Sequence, residues 1–137
     1  MSGTVVIDTN LLVRFLLTDH PTQSAAVRSW FERSRRRRTQ LIILPTVLTE
    51  LVTVLRLSRP PLTHQAIVSA LDTVLGMTFT IVDRAIIQKA WELYRDLHAR
   101  DLEDCLIAAY AMAIADGHLA TYDQKLSRIP GIVPFQP

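Results

Sequence analysis

Four carboxylates at long separations carry the chemistry available to this chain: Asp8, Glu50, Asp104 and Asp123. Asp8 directly follows the β-branched run Thr4 to Ile7, and Asp123 follows the short stretch His118 to Thr121. Both stretches read as strands, and an acid at a strand's carboxyl end lies where open α/β sheets place their ligand sites. The competing role for each is to cap the helix that follows. On a helical wheel Glu50 falls between Val54 and Leu57, at the edge of an apolar arc that also holds Val47 and Leu51. A carboxylate there is unfavourable unless paired or bound to a cation, the alternative being a structural ion pair with an arginine. Asp104 precedes the apolar run Cys105 to Ala115, so its carboxylate needs a cation or donors near by. Asp101 and Glu103 read more simply as an N-cap and a first-turn acid.

If the four acids converge, like-charge repulsion raises several of their pKa values, and a divalent cation relieves it. Oxygen-only ligands select Mg²⁺ or Mn²⁺, one or two per site. The single cysteine and the scattered His20, His64, His98 and His118 offer no zinc-ligand spacing. A hard cation that polarises water for attack at phosphorus matches phosphodiester hydrolysis.

The elements that must position these acids alternate. Leu11, Leu12, Phe15 and Leu16 repeat at helical spacing after Asp8, and Pro21 opens a second helix that is expected to dissolve in the arginine run. Leu41 to Leu44 reads as a strand. Pro45 starts a helix, and Pro60-Pro61 breaks it before Thr63 caps the next, giving a helical hairpin that Gly76 closes. Thr78 to Val82 and Gly131 to Val133 read as further strands, Asp83 as the cap of another helix, and Asp101 to Ala115 as the most buried helix, ended by Gly117. Thr4 to Ile7 lacks alternation, as in a parallel strand covered on both faces. Strands alternating with helices of ten or more residues predict an α/β domain with a mostly parallel sheet.

With 137 residues, 49% of them hydrophobic and 11 Pro or Gly, the chain has the size and composition of a single folded domain over residues 1–137. Mean hydropathy is +0.21, leaving apolar surface for a partner. One cysteine, Cys105, cannot make an internal disulfide, and the N-terminus lacks the features of a secretory signal, so a reducing, cytoplasmic setting is expected. No apolar run reaches the ~20 residues of a membrane span. Cys105, Trp30 and Trp91 read as packing residues. Net charge is +2, but Arg33, Arg35, Arg36, Arg37 and Arg38 account for five positive charges, leaving −3 for the rest. Such a local basic patch beside an acidic site suits a polyanion, with Arg14 as a further phosphate contact; the plainer reading is a solvated helix end.

Read together, Val6-Ile7-Asp8-Thr9-Asn10, Leu48-Thr49-Glu50-Leu51, Asp101-Leu102-Glu103-Asp104-Cys105-Leu106-Ile107-Ala108-Ala109 and Thr121-Tyr122-Asp123 resemble the motifs of PIN-domain ribonucleases, and within them the VapC-like toxins of toxin–antitoxin pairs. The order and spacing of the four motifs, spread over nearly the whole chain, are more specific than any one of them. The resemblance implies a three-layer α/β/α sandwich around a mostly parallel sheet, and an endoribonuclease whose acidic quartet, here Asp8, Glu50, Asp104 and Asp123, binds Mg²⁺ or Mn²⁺. It gives Asp101 a supporting role and makes Asn10 and Thr121 hydrogen-bonding partners of the carboxylates or of water. It further implies an RNA substrate, a homodimer and a cognate antitoxin, for which the apolar residues of the Thr46 to Leu75 hairpin are candidate contacts. Cys105 stands where the family commonly has alanine and Tyr122 where phenylalanine is frequent; neither change removes an oxygen ligand.

Two other enzyme classes fit poorly. A phosphatase of the haloacid dehalogenase type needs an acid two residues after the first, where this chain has Asn10. A dinucleotide oxidoreductase needs a G-x-G-x-x-G after the first strand, and there is none. The main alternative is a PIN-like module that binds RNA or protein without cutting.

Overall fold

Parallel strands joined through helices organise the chain from its start. The computed structural model describes residues 3–97 and 101–137, and the chain falls into two compact units, Met1–Val82 and Asp83–Pro137. In the first, β1 (Thr4–Val6), β2 (Gln40–Ile43) and β3 (Thr80–Ile81) form a parallel sheet in the order β1-β2-β3, with Thr4 opposite Gln40 and Ile43 opposite Ile81. Helices α1 (Thr9–Leu17) and α2 (Pro21–Arg36) connect β1 to β2, and α3 (Pro45–Arg56) and α4 (His64–Leu75) connect β2 to β3. Each connection between parallel neighbours therefore crosses over through helix, as parallel pairing requires.

The core of this unit is aliphatic at its centre: Leu12, Ile43, Leu51, Leu55 and Val74 are fully enclosed. Burying each such side chain contributes about 1.5–3 kcal/mol. Towards the amino ends of β2 and β3 the core turns aromatic. There Phe31 packs on Phe15 at 5.3 Å and edge-on against Phe79 at 5.4 Å between ring centroids. Pro45 occupies the first turn of α3, and the Thr63 hydroxyl caps α4 by accepting from the Ala66 N–H at 3.1 Å.

In the second unit α5 (Arg84–Asp96) packs along α6 (Leu102–Ala115). Small buried residues, Ala90 on one helix and Cys105, Ala108 and Ala109 on the other, allow this close contact. Strand β4 (His118–Ala120) pairs in parallel with β5 (Val133–Phe135), and the short α7 (Gln124–Ser127) lies between them in sequence. Gly117, at φ +85°, follows α6 where a Cβ would run into the carbonyl oxygen of Gly131.

Several expectations need correction. Strand β1 is not covered on both faces: Val5 and Val6, whose side chains alternate between the faces of the sheet, are 38% and 56% exposed. Helix α2 ends inside the arginine run as expected, at Arg36 with Arg37 as its C-cap, and places basic side chains at its negative C-terminal end. Helix α6 is covered on one side only, with Ile107 and Ile114 exposed. Strand β3 is shorter than Thr78 to Val82, and the last strand starts at Val133 rather than Gly131. His98 lies outside the described residues. Among the described residues no helix is long and apolar enough to cross a membrane.

Candidate active site

Buried Ile7 separates β1 from Asp8, which holds the N-cap position of α1 in extended backbone. Its carboxylate makes no capping hydrogen bond, so the capping alternative fails for this residue and the exposed side chain stays available. Thr9, next in the chain, is buried with a hydroxyl that has no hydrogen-bond partner. Asn10 is exposed in the first turn of the same helix.

Glu50 lies on α3, which packs against α1 within the first unit. The buried arc of α3 is Val47, Leu48, Leu51, Val52 and Leu55, while Leu57 is 69% exposed. Glu50 is therefore on solvated surface, and the expected semi-apolar surroundings are not found. Leu57 lies beyond the helix's end and forms no part of its buried arc, so the apolar edge expected beside Glu50 is not realised.

The second unit holds Asp104 and Asp123. Asp104, half-buried in the first turn of α6, has its carboxyl pKa raised by burial, and further by the negative charges of Asp123, Asp101 and Glu103, against a smaller opposing effect of Lys125. Asp101 sits at the N-cap of α6 as expected, but its side chain does not cap the helix. Asp123 does cap: one carboxylate oxygen accepts from the N–H groups of Lys125 at 2.7 Å and Leu126 at 3.3 Å. Its second oxygen has no part in those two bonds. Thr121 supports this turn differently from expectation, since its hydroxyl accepts from the Asp123 backbone N–H at 2.9 Å and not from a carboxyl group. Sequence reasoning passed over Lys125, the cation nearest in sequence to Asp123, two residues beyond it. It also missed that Asp83 receives the Tyr110 hydroxyl at 2.7 Å instead of capping α5.

The basic residues are not beside Asp8. The run Arg33 to Arg38 ends α2 and leads into the amino end of β2, while Asp8 follows the carboxyl end of β1. Parallel pairing of β1 with β2 puts the two at opposite ends of that sheet, roughly 13 Å apart for four residues of strand. Arg35 and Arg36 are tied to Glu32 at 2.7 and 3.4 Å, which holds the Glu32 carboxyl below its ordinary range. Arg14 donates to Gln23 at 2.6 Å and pairs with Asp19 at 3.4 Å.

Among the described residues no group of three or more His, Cys, Asp or Glu stands close enough to hold a metal. Each unit instead supplies two members of the expected quartet, Asp8 with Glu50 and Asp104 with Asp123. Their donor chemistry, hard carboxylate oxygens in a setting that raises the Asp104 pKa, fits a hard divalent cation, which would lower the repulsion.

Residues 5–132 match the family model described as PIN domain. The chain belongs to the PIN domain family. The match runs through both units and spans all four motifs. PIN domains are in general nuclease-type domains that use divalent metals and act on nucleic acid, and their helix-rich fold with a mostly parallel sheet agrees with the parallel pairings found here. No curated protein matches the chain.

Proposed function

We propose that this single PIN domain, residues 1–137, is a metal-dependent endoribonuclease and the toxin of a VapC-like toxin–antitoxin pair acting in the cytoplasm. The observation that carries the nuclease reading is Asp104, a carboxyl whose pKa is raised by burial and by the charge of Asp123, within a chain that matches the PIN family almost end to end. Asp8, Glu50, Asp104 and Asp123 supply the oxygens for Mg²⁺ or Mn²⁺. That cation contributes Lewis-acid activation of water and charge neutralisation at the phosphodiester.

The chain's own groups do the positioning. Lys125 and Leu126 fix the Asp123 carboxylate through their backbone N–H groups, and Thr121 holds the backbone that carries it. Asp8, free of capping duty, presents its carboxylate from a rigid strand end. Glu50 or Asp104 orients the attacking water, with Asn10 and Asp101 in supporting roles. Arg14 and the Arg33 to Arg38 run hold flanking RNA phosphates rather than the one that is cut. A homodimer and an antitoxin are the partners; the exposed Ile107 and Ile114 on α6 and Leu57 just after α3 offer apolar surface for them, whereas most apolar residues of the α3 and α4 hairpin are buried in the core.

The test is cleavage of single-stranded RNA with Mg²⁺, Mn²⁺ or EDTA. Activity should need the metal and fall at least about a hundredfold in Asp8→Asn and in Asp104→Asn, with unchanged circular dichroism. Full activity in both variants refutes the assignment.

A further inference from the structure

Along one face of α2, Trp30, Arg33, Ser34 and Arg37 follow at i, i+3, i+4 and i+7 and line a cavity of about 200 Å³. Gly3, Thr4 and Val5 of the β1 segment lie on its other side. The cavity is formed wholly by the first unit and lies at the end of its sheet opposite Asp8. Among the described residues neither Arg33 nor Arg37 is in an ion pair, in contrast with Arg35 and Arg36 on Glu32. Ser34, only 4% exposed, sits in the cavity wall between the two arginines. Trp30 is half-buried, steadied by a tilted contact with Phe31 at 5.7 Å.

We propose that Trp30, Arg33, Ser34 and Arg37 form a subsite for one nucleotide of single-stranded RNA, away from the acids, with the base on the indole, a hydroxyl or phosphate oxygen on Ser34, and the adjoining phosphates on the two arginines. It deepens the ribonuclease reading and rests on it for the choice of RNA. The size of the cavity favours one unit of a polymer, because pockets that enclose a whole small ligand measure roughly 300–1,000 Å³. The C-terminal end of α2 carries about half a negative charge, which two unpaired guanidinium groups outweigh. An acidic protein segment would satisfy the arginines but leave the indole unused, whereas a base stacks on it.

Binding is measured by anisotropy of a fluorescein-labelled single-stranded oligoribonucleotide in EDTA, so that no cleavage is needed. The variant Arg33→Gln/Arg37→Gln should flatten the slope of log affinity against log salt by about 1.4, at about 0.7 per phosphate contact. A charge-matched pair in the second unit, Lys89→Gln/Arg128→Gln, should leave the slope unchanged. Trp30→Leu should weaken binding about tenfold without changing the slope. In a Trp91→Phe background Trp30 is the sole indole, and RNA should quench its fluorescence, which tests the stack without altering the site.

Equal slope changes in the two arginine pairs, absence of quenching, or no RNA binding at all would each overturn the subsite. So would polyglutamate binding that depends on Trp30 as strongly as RNA does, which would assign the site to an acidic protein partner. Oligonucleotide binding with these dependences in a chain that never cuts would remove the nuclease reading and leave the subsite standing.

Discussion

Asp104 shows how a half-buried carboxylate costs stability. Its folded-state pKa lies above that of the unfolded chain, so the native protein binds the proton more tightly, and stability falls as pH rises from the ordinary carboxyl value through the raised one. Above that window the charged side chain is a standing penalty, and below the unfolded value it has no effect. Asp104→Asn should therefore raise the melting temperature at neutral pH in metal-free buffer, and the gain should disappear near pH 3, where both states of the wild-type carboxyl are protonated. A gain that is the same at both pH values would mean that packing, not charge, is responsible. The sequence revealed this residue because an acid in front of a long apolar run has few neutral explanations. For Asp123 it offered capping as a rival role without deciding, since capping and metal binding draw on the same residue type at the same helix position, and the structure shows the cap. Glu50 differs: the semi-apolar surroundings expected of it are absent, since it lies on solvated surface, and its place among the four acids rests on the motif Leu48-Thr49-Glu50-Leu51.

Among the elements, α2 joins a well-packed aromatic side to a strongly basic one. Glu32 is its only acid and ties up Arg35 and Arg36. Glu32→Gln should free both and increase retention on a heparin column; unchanged retention would show that the pairs contribute nothing to the field seen by a polyanion. The turn after α6 is equally specific. Gly117→Ala should destabilise the fold by more than the ~1 kcal/mol of an ordinary glycine replacement, because the added methyl meets backbone rather than a yielding side chain, and urea denaturation measures it. Helix positions were legible from Pro45, Thr63 and the 3.6-residue repeat, which are local signals. Strand coverage was not, because whether Val5 and Val6 face protein or water depends on what packs over each face of the sheet, and nothing within Thr4 to Ile7 records that.

For the molecule as a whole, the net charge of +2 conceals an uneven distribution. Met1–Val82 carries nine basic and five acidic residues, a net +4, whereas Asp83–Pro137 carries six and eight, a net −2. Affinity for nucleic acid should therefore reside mainly in the first unit, where the basic residues are concentrated. The alternation of strand and helix made the α/β class legible at this scale, and the ordered motifs made the family legible, because both are read along the chain. The division into two units is not written in composition, since no Pro- or Gly-rich linker separates Val82 from Asp83. One side chain offers a way to watch the second unit in motion. Cys105, the chain's single thiol, is fully enclosed one residue after Asp104, so a thiol reagent can reach it only when α6 lifts away from its neighbours. Its labelling rate with Ellman's reagent under native conditions is thus a built-in clock for helix opening, and Mg²⁺ should slow that clock if the ion braces the carboxylates at the helix's start.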